Sequence, residues 1–157
     1  LDHLLNVKNG QITFIPYANA GENPSKEGQF DLRMLGLFAY DGKITKEGQK
    51  LPGDSYQFNL GKESPGNRHP PLTVRIGEKV VGVKQKQQTA LGPQNCWPIG
   101  YTRNSDPIMI TLKGLTLPLP GMNTTVTDWF CPAVNLVVRQ EIEQGGVKSS
   151  VEITQIK

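Results

Sequence analysis

Apolar side chains recur at every second position in one short stretch after another, and almost every stretch ends in Gly, Pro or Asn. A period of two places alternate residues on opposite faces of an extended chain, so it suits half-buried strands and does not suit amphipathic helices. Ile12 and Phe14 alternate with polar neighbours in Gln11 to Ala18, where Pro16 confines the segment to an edge. Tyr56, Phe58 and Leu60 alternate with Ser55, Gln57 and Asn59; Leu72, Val74 and Ile76 repeat the pattern, as do Ile108, Ile110 and Leu112. Phe30 to Tyr40 reads as a strand covered on both faces, or as a short buried helix, with the strand favoured. Asp41-Gly42 then turns the chain into Lys43-Ile44-Thr45.

Lys79 to Thr89 reads as one strand, buried in its first half and solvated in its second. Asn95 to Tyr101, Thr124 to Phe130, Val134 to Ile142 and Val147 to Ile156 add further strands, with Gln144-Gly145-Gly146 joining the last two as a hairpin. Val134, Leu136 and Val138 share a face. Gly61 to Pro70 is a polar loop, and Leu115 to Met122 an apolar one whose prolines prevent ordinary pairing. The expectation is an all-β, antiparallel curved sheet, sandwich or incompletely closed barrel of about nine or ten short strands. The 157 residues suit a single β-domain, and 17 Gly with 12 Pro favour turns over long helices.

Both cysteines and both tryptophans fall in two mirrored clusters, Cys96-Trp97 and Trp129-Phe130-Cys131. Two cysteines permit a single disulfide, which would close a loop of about 36 residues in an oxidising compartment. The alternative is two buried thiols packed as small hydrophobes. On a strand Trp129 and Cys131 share a side while Cys96 and Trp97 do not. If the sulfurs meet, Trp129 therefore lies on the disulfide face and Trp97 on the other. The four residues read as a structural clasp.

Catalytic signatures are missing from the sequence. There is no GxSxG elbow, and Gly61-Lys62-Glu63-Ser64 lacks the upstream glycine and the Ser or Thr after Lys that a phosphate-binding loop requires. The wide cysteine spacing fits neither a CxxC redox motif nor a zinc half-site, and with only His3 and His69 a multi-histidine metal site has few parts. No cofactor and no metal are expected. An enzyme acting on glycans or peptides would need Asp31, Asp41, Asp54, Glu63 or Asp128 to converge near His69. The net charge of +3 falls short of the dense basic patches that neutralise nucleic-acid phosphates, so no nucleic-acid partner is expected. Arg75, Lys79, Lys84 and Lys86 read as a basic sheet edge that discourages aggregation. Asn123-Thr124-Thr125 matches the glycosylation triplet, a pattern common by chance. The remaining candidate is the apolar loop: Leu115, Leu117, Leu119 and Met122 could form a binding lip, or fold over an open end of the sheet.

An order of short motifs from Leu51 to Lys157 resembles the TapB-like family of uncharacterised exported β-domain proteins and lipoproteins, widespread in Bacteroidetes. Leu51-Pro52-Gly53-Asp54 looks like its apolar-proline-glycine region, and Leu72 to Ile76 followed by Val80 to Lys84 like its arginine-valine hairpin. Thr89 to Trp97, with Gly92 and Cys96, resembles its threonine-glycine-cysteine segment. Asp128 to Val137 resembles the tryptophan-centred closing hairpin, and Val151 to Thr154 the last strand. Asn135 stands where that family usually has glycine, Cys131 where a small or apolar residue is common, and the first third of the chain matches poorly. The resemblance implies a periplasmic or outer-membrane-surface β-domain and supplies no catalytic residues. The chain opens on Leu1 rather than Met, which fits loss of a leader or upstream segment, with outer-membrane association through that removed N-terminal segment. The functional expectation is a non-enzymatic cell-envelope protein that binds an apolar ligand or partner protein. The alternatives are an interaction module using its sheet edges and the enzyme with carboxylates near His69.

Overall fold

In chain order the strands are β1 (His3–Lys8), β2 (Gln11–Pro16), β3 (Lys50–Leu51), β4 (Asp54–Phe58), β5 (Leu72–Ile76), β6 (Lys79–Val81) and β7 (Gln85–Thr89). They continue with β8 (Gly92–Ser105), β9 (Ile108–Leu112), β10 (Leu115–Leu119), β11 (Asn123–Cys131), β12 (Leu136–Gln144) and β13 (Val147–Glu152). These come from a computed structural model that describes residues 3–8, 11–16, 40, 44–58 and 64–155. Every pairing is antiparallel, and the described residues form no helix. Nine strands make one curved sheet ordered β13-β12-β11-β8-β5-β4, with β3, β6 and β7 joined to it through β8 and β6. The sheet does not close into a barrel. β1 with β2, and β9 with β10, form separate two-stranded ribbons.

The spine is β8, whose 14 residues pair along one edge with β11, from Asn104 opposite Asn123 to Trp97 opposite Phe130. Its other edge takes β7, β6 and β5 in succession. β8 and β11 are thus the two arms of a long hairpin, and the β9-β10 ribbon is carried at its closed end.

Alternation along the arms sorts the side chains onto two faces. On one face Tyr56, Leu72, Val74, Ile76, Tyr101 and Val126 pack together, and beside them Tyr40, Val81, Ile99, Phe130 and Val137 form a second cluster. On the other face lie Cys96, Trp129, Cys131 and Val138, covered by Leu91 and Val134. Each fully buried aliphatic chain, such as Ile99 or Val126, contributes on the order of 2 kcal/mol. A bulge in β12 opposite Trp129 and Phe130 shifts the register by one residue, so Val137 and Gln140 share the first face although three positions separate them.

Several expectations are revised. Lys79 to Thr89 is not one strand: it breaks at Gly82, where a Cβ would press on the Pro98 ring, giving β6 and β7. Leu115 to Leu119 is a strand, not a loop. It pairs only with β9, and on such an edge Pro118 can stand opposite Met109 without interrupting a central ladder. The basic edge dissolves as well. Lys79 is buried, Arg75 is held by Asp106 and Lys84 lies over the Trp97 ring at 5.5 Å. The strand expected over Phe30 to Tyr40 lies, except for Tyr40, outside the described residues, as do the Asp41-Gly42 turn, Asp31 and Glu63.

Candidate functional site

The β9-β10 ribbon gathers four exposed large apolar side chains, Met109, Leu112, Leu115 and Leu117. Its register sets Leu112 opposite Leu115, Ile110 opposite Leu117 and Ile108 opposite Leu119, so one face presents six aliphatic side chains in three rows. Only the base row is anchored: Ile108 packs against the cluster around Tyr101 and Val126. Toward the tip the face opens to solvent, with Leu117 at 40%, Leu112 at 46% and Leu115 at 62% exposure; on the opposite face Met109 is 54% exposed. The tip is a two-residue turn, Lys113-Gly114, with both φ angles positive at 51° and 80°, the geometry that matches strand twist in tight hairpins.

This tip is braced from the side. Arg68 exchanges backbone hydrogen bonds with Thr111, the Lys113 amide donates to Asn67 Oδ1, and the Gly114 amide donates to the Gly66 carbonyl. At the base, Met122 exchanges bonds with Ser105: its carbonyl accepts from the Ser105 amide, and its amide donates to Ser105 Oγ. The exposed leucines are therefore held on a preformed support, which lowers the ordering cost of any contact they make.

A second feature lies inside the sheet. Asp128 is fully buried, and its Oδ2 accepts from the Tyr40 hydroxyl at 2.6 Å. Its Oδ1 accepts from Gln140 Nε2 at 2.8 Å and the Tyr101 hydroxyl at 3.3 Å. Lys79 Nζ donates to the Tyr40 hydroxyl at 3.1 Å and lies over the Tyr40 and Tyr101 rings at 4.9 and 4.6 Å. Burial pushes the Asp128 carboxyl above the usual carboxylate range, against the bonds from Tyr40 and Gln140, the charge of Lys79 and the bond from Tyr101. Burial likewise pulls the Lys79 ammonium down, against the attraction of Asp128 and Asp54. Both phenols are pushed far above their ordinary value, first by burial and then by Asp128, so they remain protonated donors. The network joins the two apolar clusters of the first face, because Tyr101 belongs to one and Tyr40 to the other. Its carboxylate is sealed from substrate by the same burial.

The third feature is the clasp. Cys96 and Cys131 form a disulfide, directly opposite each other one step beyond the Trp97–Phe130 pair. Trp129 packs on the disulfide face and Trp97 against the other face, as the alternation requires. Arg139 covers the Trp129 ring at 6.0 Å and donates to Gln87 Oε1, while Glu152 Oε1 accepts from the Ala90 amide, so the β7-β8 turn is tied over this face.

The structure thus brings Leu115, Leu117 and Leu119 onto one ribbon face and leaves Met122 at the ribbon's base. It joins Cys96, Cys131 and Trp129 in one cluster with Trp97 across the sheet. Neither Asp54 nor Asp128 has a hydrogen bond or ion pair to His69 among the described residues. The Asp128 network was missed from sequence, although a signal existed: Thr124, Val126, Asp128 and Phe130 share a parity, which puts a carboxylate on an apolar face. No protein-family model, curated protein or solved structure matches the chain, so the resemblance to the exported family stands on its motifs alone.

Proposed function

We propose that the protein is a non-enzymatic binding protein of the cell envelope that engages an apolar partner through the β9-β10 ribbon. The observation that carries this reading is the ribbon face itself. Six aliphatic side chains stand in register, and those nearest the tip remain exposed on a braced support. Contiguous exposed apolar surface on a folded domain marks interaction sites, whereas isolated exposed residues do not. The buried position of Asp128, whose oxygens already accept three hydrogen bonds, supports a structural rather than a catalytic role for this carboxyl. The Cys96–Cys131 disulfide is compatible with an oxidising compartment.

The test is a double replacement, Leu115→Ser with Leu117→Ser. Both side chains are solvent-facing, so the thermal midpoint should stay close to that of the unmodified chain. Co-purified lipid, read by native mass spectrometry, or a cross-linked partner should disappear. Undiminished retention by the double variant would remove the ribbon from the mechanism.

A second reading is docking through a sheet edge. It is favoured by β13, which ends the nine-stranded sheet and begins with Val147 at 70% exposure. Proline at several β13 positions would weaken binding on that reading and leave it intact on the first.

A further inference from the structure

We infer that the partner of the β9-β10 ribbon is an anionic lipid surface, into which the tip dips with Leu112 and Leu115 leading. The inference rests on the ribbon being the docking element and names what it docks to. Charge around the ribbon points to this partner. From Pro107 to Thr127, and again from Ser64 to Leu72, the sequence contains no Asp or Glu. These two stretches supply the ribbon and the turn that braces it. Each contributes one cation at the tip: Lys113 in the ribbon turn and Arg68 beside Thr111.

Both side chains are exposed, and neither is ion-paired among the described residues. The first carboxylate before the ribbon, Asp106, sits at its base and is neutralised by two short bonds from Arg75. Lys62 and Glu63, just ahead of the bracing turn, balance each other in sequence. Among the described residues the tip thus combines exposed leucines with two cations and no acidic side chain.

That combination suits a membrane interface for separate reasons. Leucine side chains gain by leaving water for acyl chains, and a lysine between them keeps its ammonium at headgroup level while its stem lies along apolar surface. Anionic headgroups add attraction at each cation and are screened by salt. The bracing by Asn67 and Gly66 matters here as well. A preformed turn presents Leu112 and Leu115 together, so insertion does not first have to order the loop. A soluble protein partner would need its own acids placed opposite Arg68 and Lys113, whereas an anionic bilayer offers them in any orientation.

The experiment is vesicle flotation of the full chain, disulfide intact. Phosphatidylcholine vesicles are compared with vesicles of one part phosphatidylglycerol to two parts phosphatidylcholine, at low and high salt. Binding is expected only to the anionic vesicles and should weaken as salt rises. Leu112→Ser with Leu115→Ser should reduce it about tenfold, and Arg68→Gln or Lys113→Gln about fivefold each. An environment-sensitive dye on Leu115→Cys should shift to the blue on anionic vesicles and not on neutral ones. Failure of the unmodified chain to float, or equal floating of the leucine variant, overturns the lipid assignment. Loss of a captured protein by the leucine variant without any vesicle binding also overturns it, while leaving the ribbon as a protein-docking element.

Discussion

Removal of the disulfide by Cys96→Ala with Cys131→Ala tests how the long β8-β11 hairpin is held. The bridge joins positions 35 apart in sequence, at the open end of the hairpin. On the chain-entropy account, freeing a loop of that size gives the unfolded ensemble about 4 kcal/mol of extra stability. The Trp97–Phe130 pair beside the bridge keeps the strands in register, while the void left by two fully buried sulfurs adds to the loss. For a domain of this size each kcal/mol lowers the melting midpoint by about 2 to 4 °C, so the expected fall is on the order of 8 to 16 °C. Near-ultraviolet circular dichroism is a suitable readout, since Trp129 packs in the same buried cluster as both sulfurs. The urea m-value should rise slightly as the unfolded chain expands. A midpoint that moves by less than about 3 °C would refute the loop-entropy reasoning and mean that the strand pairing alone sets the hairpin's stability. Binding through the ribbon should survive at 25 °C in the folded variant, because its braces to Asn67 and Gly66 do not involve the bridge.

Asp128→Ala should cost about 3 kcal/mol or more in urea titration, since it strands the buried donors of Tyr40, Tyr101 and Gln140. Asp128→Asn, which mimics the protonated acid, isolates the pH dependence. The folded pKa of Asp128 lies above its unfolded value, so the fold retains a proton that the unfolded chain releases. The stability of the native chain relative to Asp128→Asn should therefore be greatest below about pH 4 and decline as pH rises through the folded pKa; a difference that grows with pH would contradict the burial argument. Gly121→Ala places a Cβ 2.5 Å from the Ser105 carbonyl oxygen, so calorimetry should show a loss of about 1 to 3 kcal/mol and a displaced ribbon base. Lys113→Asn relieves a lysine held at positive φ and should raise stability by about 0.5 kcal/mol while weakening attachment to anionic vesicles.

Much of the sheet is legible in the sequence because alternation survives wherever one face is buried. Tyr56 with Leu72, Val74 and Ile76 on β4 and β5, and Val126 with Phe130 on β11, appear where the period of two places them. The Gly145-Gly146 turn between β12 and β13 is equally plain, with φ angles of 57° and 79°. Legibility fails where tertiary placement overrides a local signal. Pro118 and Pro120 suggest a loop, yet an edge strand with a single neighbour tolerates Pro118. Val81 and Val83 share a parity that carries the eye across Gly82, and only the nearness of Pro98 shows why the strand stops there.

The buried network illustrates both halves of the problem. Parity alone puts Asp128 among Val126 and Phe130, so half of the candidate structural centre could have been found. Gln140 could not, because the bulge in β12 shifts it onto that face by one residue and leaves no trace in composition. Lys79 reads as a solvated edge lysine until the hydroxyl of Tyr40, distant in sequence, is seen to accept a hydrogen bond from it. For the ribbon, the apolar character of Leu115 to Leu119 was legible, but its pairing with Ile108 to Leu112, which sets six side chains on one face, was not.

On the proposed function the ribbon, rather than a sheet edge, is where the protein meets its partner. Site-specific photo-cross-linking in cells tests it most directly, with the reactive group placed in turn at Leu117 on β10 and at Val147 on β13. Both positions are exposed, so both reactive groups are available to a partner. Docking through the ribbon gives a dominant adduct from position 117, with lipid among its products, and none from position 147. A dominant adduct from 147 with none from 117 would contradict it.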